Sequence, residues 1–122
     1  MSQQRFLLKG GNVLGGKASD LLIADGRIEE ISASISDKDA TVIDLKGSIL
    51  LPGLVDLHTH LREPGREDSE TVASASRAGA KGGFTALSAM ANTSPVADTA
   101  GVVEQVYRLG QEAGFVDVFP IG

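Results

Sequence analysis

The sequence predicts an α/β protein in two parts, a small β-layer over residues 1–51 and an alternating β-α-β-α-β run over residues 52–122. Three observations carry this. The first part consists of short apolar runs punctuated by Gly, Asn and Asp, with no convincing helical stretch. The second part alternates strand-length apolar runs with two segments of helical length, and crossovers of that length suit only parallel strands. Between them stands Leu51-Pro52-Gly53, which interrupts the longest apolar stretch.

In the first part, Phe6, Leu7 and Leu8 form a short β run closed by Gly10, Gly11 and Asn12. Residues 21–24 and 27–31 flank Asp25-Gly26. An Asp-Gly pair between apolar-bearing runs signals a hairpin, because a type I′ turn needs positive φ at both central positions. Residues 41–45 make another strand, with β-branched Val42 and Ile43, and Lys46-Gly47-Ser48 turns the chain. In the second part, residues 54–60 read as a mostly buried strand. Residues 70–81 are Ala-rich and helical, with Asp68 or Ser69 as N-cap and Gly82-Gly83 as the stop. A second strand spans 84–89. A second helix spans 99–113, capped by Asp98, ended by Gly114, and striped with Val102, Val103, Val106 and Leu109. A third strand covers 115–121.

Three parallel strands leave both faces and both edges in need of cover. The simplest completion is a (β/α)8 barrel, which takes about 250 residues. The expectation is therefore the N-terminal part of such a barrel, truncated at Gly122; a flavodoxin-like domain, the alternative, also wants about five strands.

Composition excludes several classes. The chain has 122 residues, 11 basic and 16 acidic, for a net charge of −5. That argues against nucleic acid, whose binding needs a clustered positive face. With no cysteine there is neither a disulfide framework nor a thiolate metal site. The polar start from Met1 to Arg5 lacks the layout of a signal peptide. No apolar stretch approaches the roughly 20 residues that span a bilayer. The expectation is a soluble, cytoplasmic protein without a membrane partner.

The only two histidines are His58 and His60, at the C-terminal end of the first parallel strand. Residues two apart on a strand share a face, so both imidazoles can converge on one ion. Barrel enzymes place their active sites at this end of the strands. Parity adds Asp56 below the pair and Arg62 above it. A plain structural role would suit one histidine; His-x-His framed by Asp and Arg favours a metal. At the end of the second strand, Asn92 can offer its amide to a carboxylate or carbonyl, although Asn, Ser and Pro are also ordinary turn formers. The loop 62–68 is charged and reads as solvated surface, except that the Arg62 guanidinium, nearest the histidines, suits a planar carboxylate.

Together, the run Pro52-Gly53-Leu54-Val55-Asp56-Leu57-His58-Thr59-His60 resembles the entry signature of the amidohydrolase superfamily. Leu61-Arg62-Glu63-Pro64-Gly65, Gly82-Gly83-Phe84-Thr85 and Asn92-Thr93-Ser94-Pro95-Val96 resemble the class I dihydroorotases, whose small β-sandwich domain is built partly from the N-terminus. The resemblance implies that His58 and His60 ligate the more buried of two Zn2+ ions and that Arg62 and Asn92 hold the substrate carboxylate. Ala91 departs from the Met-Pro-Asn-Thr usual in the family. The bridging Lys or Asp, two further His and a proton-shuttling Asp are expected beyond Gly122, so no catalytic residue is assigned within the chain. The implied reaction is reversible closure of N-carbamoyl-L-aspartate to L-dihydroorotate, in a homo-oligomer that can associate with aspartate carbamoyltransferase. Allantoinase, dihydropyrimidinase and a non-catalytic dihydroorotase-like scaffold are the alternatives.

Overall fold

The computed structural model describes residues 4–122; residues 1–3 of the polar start lie outside the described residues. The chain divides into two compact units, Met1–Pro52 and Gly53–Gly122.

The first unit is one sheet of five strands: β1 (Arg5–Val13), β2 (Ala18–Ala24), β3 (Arg27–Ser32), β4 (Thr41–Asp44) and β5 (Ile49–Leu50). Their order is β3-β2-β1-β4, with β5 also paired to β1. The β2–β3 hairpin turns at Asp25 and Gly26, whose φ values of 50° and 74° are those a type I′ turn requires. β1 does not stop at Leu8. It runs on through Gly10, whose φ of 65° lets the strand shift register between Leu8 and Gly11 and continue to Val13. Strand parity sends Leu7 and its partner Leu22 to one face, where they pack with Ile35. Leu8 and Leu21 face the other way and line an apolar concavity of about 360 Å³ with Ile23, Ile28 and Ile31. Asp20 is buried and satisfied: it accepts from the Ile35 and Gly10 amides, each at 2.9 Å. Those two amides, Ile35 foremost, hold its carboxyl below the ordinary value.

The second unit holds β6 (Leu54–Thr59), α1 (Val72–Lys81), β7 (Phe84–Ala89), α2 (Ala100–Ala113) and β8 (Asp117–Pro120). The strands are parallel in the order β6-β7-β8. Val72 from α1, Val106 from α2, and Leu87, Ala89 and Val118 from the sheet form one core with Leu61 and Val116. Gly110 lets α2 approach β8 so closely that a Cβ there would lie 2.5 Å from the Cβ of Val118. β6, expected to be mostly buried, has its apolar residues exposed in this chain. Within this chain it ends the three-stranded sheet, where Val55 and Leu57 are 57 % and 76 % exposed.

Both helix starts differ from expectation. α1 is capped by Thr71, not by Asp68 or Ser69: Thr71 and Ser74 form a capping box, and Thr71 is extended at φ −116°, ψ 160°. The reason is a separate turn just before it, in which the Ser69 and Glu70 amides bond to the Arg66 carbonyl. Asp68 instead pairs with Arg66 at 3.3 Å. α2 has Thr99 as its N-cap, extended at φ −127° and without a side-chain cap hydrogen bond, so Asp98 does not serve either. The α2 stop at Gly114 is a left-handed cap with φ 66°.

Candidate metal centre

The chemistry-bearing residues gather where β6 ends. β6 carries a bulge: Asp56 pairs with Leu87 and Thr59 with Ala89, so Leu57 and His58 together oppose the single residue Ser88. The Asp56 carboxylate holds this irregularity by accepting the His58 amide at 2.9 Å. Thr59 and Asp56 therefore lie on the side of the sheet that carries buried Leu87 and Ala89. His58 and His60, on either side of Thr59, present their rings to each other with centroids 5.3 Å apart and planes inclined at 70°. Both histidines are exposed.

The bulge corrects the parity expected for Asp56. It does not lie below the histidines on their face. It lines a concavity of about 290 Å³ with Thr59, Glu70 and the α1 residues Ala75 and Ala78, and His60 stands at the margin. A one-residue slip moves every side chain beyond it to the other face, and counting by twos across the bulge cannot see that.

Asn92 comes from the loop after β7 and meets the pair directly: His60 Nδ1 lies 2.8 Å from Asn92 Oδ1. The loop is held by its own backbone. The Ala97 and Thr93 amides bond to the Ala91 carbonyl at 2.9 and 2.8 Å, and the Met90 amide bonds to the Thr59 carbonyl at 2.9 Å. Thr93 Oγ1 donates to the Pro95 carbonyl at 2.7 Å.

Arg62 is not brought into contact with this pair. Its side chain is exposed and makes no hydrogen bond or ion pair among the described residues. Its backbone is left-handed, with φ 62°, a conformation costing a non-glycine residue about 1–2 kcal/mol. Strain of this kind collects at functional sites.

What the sequence reading missed is how the two loops are joined. The Ser94 amide donates to the Pro64 carbonyl at 2.9 Å. Gly65 packs so closely on Ser94 that a Cβ would fall 2.5 Å from the Ser94 carbonyl oxygen. Glu63, read as part of a solvated loop, accepts the Val72 amide at 2.8 Å and pins the Arg62 loop to the start of α1. A carboxylate a few residues before a helix was the available signal, but nothing local says which acid will reach back.

Two neighbouring imidazoles fit part of a zinc ligand set, since neutral ring nitrogens bind Zn2+ at about 2.0–2.1 Å. Among the described residues no group of three or more His, Cys, Asp or Glu gathers to hold a metal. Nor, among them, is any helix long and apolar enough to cross a membrane.

The comparisons with known proteins agree with this architecture. The model of the family described as Dihydro-orotase-like matches residues 47–122. A dihydroorotase of Streptomyces coelicolor is 61 % identical over 118 residues, covering 97 % of this chain and 28 % of its own length. One from Leifsonia xyli subsp. xyli is 59 % identical over 122 residues, covering 100 % and 28 %. Among solved structures, the L-hydantoinase (dihydropyrimidinase) of Arthrobacter aurescens superposes with a TM-score of 0.78 at 26 % identity, over 96 % of this chain and 27 % of that one. The dihydropyrimidinase of Brevibacillus agri gives 0.70 at 27 % identity, over 96 % and 26 %. The chain thus spans about 28 % of the length of these curated relatives. With its strand-end histidine pair, its β-α-β-α-β unit and these matches, the chain belongs to the dihydro-orotase-like family.

Proposed function

We propose that this chain forms the N-terminal part of a dihydroorotase, closing N-carbamoyl-L-aspartate to L-dihydroorotate and reopening it. The observation that carries this is the His58–His60 ring pair at the end of β6, with Asn92 from the loop after β7 bonded to His60. His58 and His60 would hold one of two Zn2+ ions. When bound, such an ion supplies Lewis-acid polarisation of the reacting carbonyl. The residues of this chain bind and orient. Arg62, with its guanidinium unengaged, offers a two-pronged donor to the substrate carboxylate. Asn92 offers its amide NH2 to the same group. The joined Pro64–Ser94 backbones set the spacing of these two donors.

Two imidazoles fall short of the three protein ligands usual for catalytic zinc. We therefore assign the other ligands and the proton-shuttling carboxylate to the portion of the relatives that lies outside this chain's match, together with the strands that complete a (β/α)8 barrel. We place the enzyme in the cytoplasm, as a homo-oligomer able to associate with aspartate carbamoyltransferase.

A second reading, a hydantoinase or dihydropyrimidinase, is favoured by the superposition on those enzymes at TM-scores of 0.78 and 0.70. Steady-state rates of the full-length protein on dihydroorotate, allantoin and dihydrouracil separate them. A kcat/KM highest for dihydroorotate is expected; a preference for a ring without the carboxylate would overturn the assignment, and no turnover of any would favour a scaffold.

A further inference from the structure

We propose that Asn92 is a positioning residue for the metal ligand His60, and that this one side chain ties metal retention to recognition of the substrate carboxylate. The inference rests on the reading of His58 and His60 as zinc ligands. Its starting point is the 2.8 Å contact between His60 Nδ1 and Asn92 Oδ1. An amide carbonyl oxygen has no proton to give. The imidazole must therefore carry its proton on Nδ1 and donate it. That leaves the Nε2 lone pair as the ligand position of His60, since the partner of one ring nitrogen decides which nitrogen is free.

The direction of control follows from how each residue is held. His60 lies one position beyond the last residue of β6, is exposed, and makes no other side-chain hydrogen bond among the described residues. Asn92 is fixed from behind by the Ala91–Ala97 and Ala91–Thr93 backbone bonds and by the Ser94–Pro64 bond. The Asn92 backbone is thus the anchored end of this contact, while the two exposed side chains, each without another hydrogen bond among the described residues, orient one another across it. With Oδ1 turned to His60, the NH2 is the end of Asn92 that makes no hydrogen bond among the described residues and is left to face a ligand. It is a donor, the polarity a carboxylate requires. Asn92 therefore faces the metal ligand with its acceptor end and the substrate with its donor end.

Asparagine and aspartate separate these two roles. In Asn92→Asp the carboxylate still accepts from Nδ1–H, and more strongly, but it repels a substrate carboxylate. Asn92→Ala loses both functions. The test uses the zinc-loaded full-length protein and follows zinc retained against a competing chelator such as dipicolinate. Loss of a partner that orients a metal-bound histidine typically costs about 10–100-fold in affinity. Asn92→Ala should therefore release zinc at about tenfold lower chelator or less, whereas Asn92→Asp should retain it at least as well as the parent. Both should raise KM for dihydroorotate. Asn92→Ser, whose hydroxyl is too short to reach the ring, provides the same loss if the alanine variant does not fold. In 15N-histidine spectra the zinc-free parent should show His60 protonated at Nδ1.

Zinc retention by Asn92→Ala equal to the parent would overturn the inference. So would zinc loss by Asn92→Asp equal to that of Asn92→Ala, or a His60 ring protonated at Nε2. His58→Ala and His60→Ala distinguish the two levels. If both release zinc while Asn92→Ala does not, the positioning role alone fails; if neither does, the ligand assignment itself fails.

Discussion

Gly65→Ala tests whether the junction of the two loops matters to the site. Gly65 sits at φ +106°, and an added Cβ would lie 2.5 Å from both the Cβ and the carbonyl oxygen of Ser94, and 3.0 Å from its Cα. Carbon contacts are optimal at about 3.5–4.0 Å, so about 1 Å must open between the loops. None of the atoms met is the end of a flexible side chain, so the backbone itself must move. Two costs add. The left-handed conformation costs a non-glycine residue about 1–2 kcal/mol, and overpacking costs about 1–3 kcal/mol. The Ser94–Pro64 bond at 2.9 Å is the first to stretch. Gly83→Ala is the matched control, because Gly83 also has positive φ, +87°, but a Cβ there meets nothing within 4 Å. The control should lose only the conformational part, so the two variants should differ in unfolding free energy by about 1–3 kcal/mol. Denaturant unfolding of the full-length protein measures this. In steady state, Gly65→Ala should raise KM for dihydroorotate and weaken zinc retention, because Arg62 and the His60 partner Asn92 ride on the separated loops. Equal destabilisation by both variants would refute the steric argument, and an unchanged KM would refute its link to the site.

Three further outcomes are expected. Ser76→Ala on α1 should stabilise the protein by about 1 kcal/mol in thermal unfolding, since the Ser76 hydroxyl is fully buried and finds no partner among the described residues. Asp20→Asn should lower the unfolding midpoint at neutral pH and flatten its fall in acid. The Asp20 carboxyl is held below its ordinary pKa of 3.8, so its contribution is complete above that value and is lost as pH drops through the lower folded value; an unaltered acid limb in a pH series of melts would contradict this. Asp37, held down chiefly by its hydrogen bond to Arg5, adds a dependence of the same sign that survives in Asp20→Asn. Arg62→Lys should cut kcat/KM for dihydroorotate more than for an analogue lacking the carboxylate, because a point charge cannot reproduce a bidentate fork; equal losses on both would make Arg62 structural.

Much of the local structure was legible because local rules decide it. The Asp25-Gly26 hairpin follows from the positive φ both positions must adopt. The end of α2 follows from Gly114, which reaches φ 66° at no steric cost. The α2 stripe came out because Val106 and Leu109 repeat at helical spacing and pack on one core. Helix starts were less legible. Asp68, Ser69 and Thr71 can all cap, and the choice fell to Thr71 because residues 66–70 close a turn of their own. Gly10 and Gly11 read as a strand end, yet pairing with β2 carries β1 through them.

For the site, the sequence by itself determined its chemistry: two imidazoles at one strand end, an amide after the next strand, and no cysteine to compete. Only the tertiary structure decided which of these groups meet. The bulge that turns Asp56 away from the histidines exists only in the pairing of β6 with β7. The His60–Asn92 contact joins residues 32 positions apart. Glu63 reaches α1, and Gly65 reaches Ser94, only after the two loops are laid side by side. Residue type and spacing carry the donors and the period of each element; distances between loops arise from sheet register and packing, which no single segment contains.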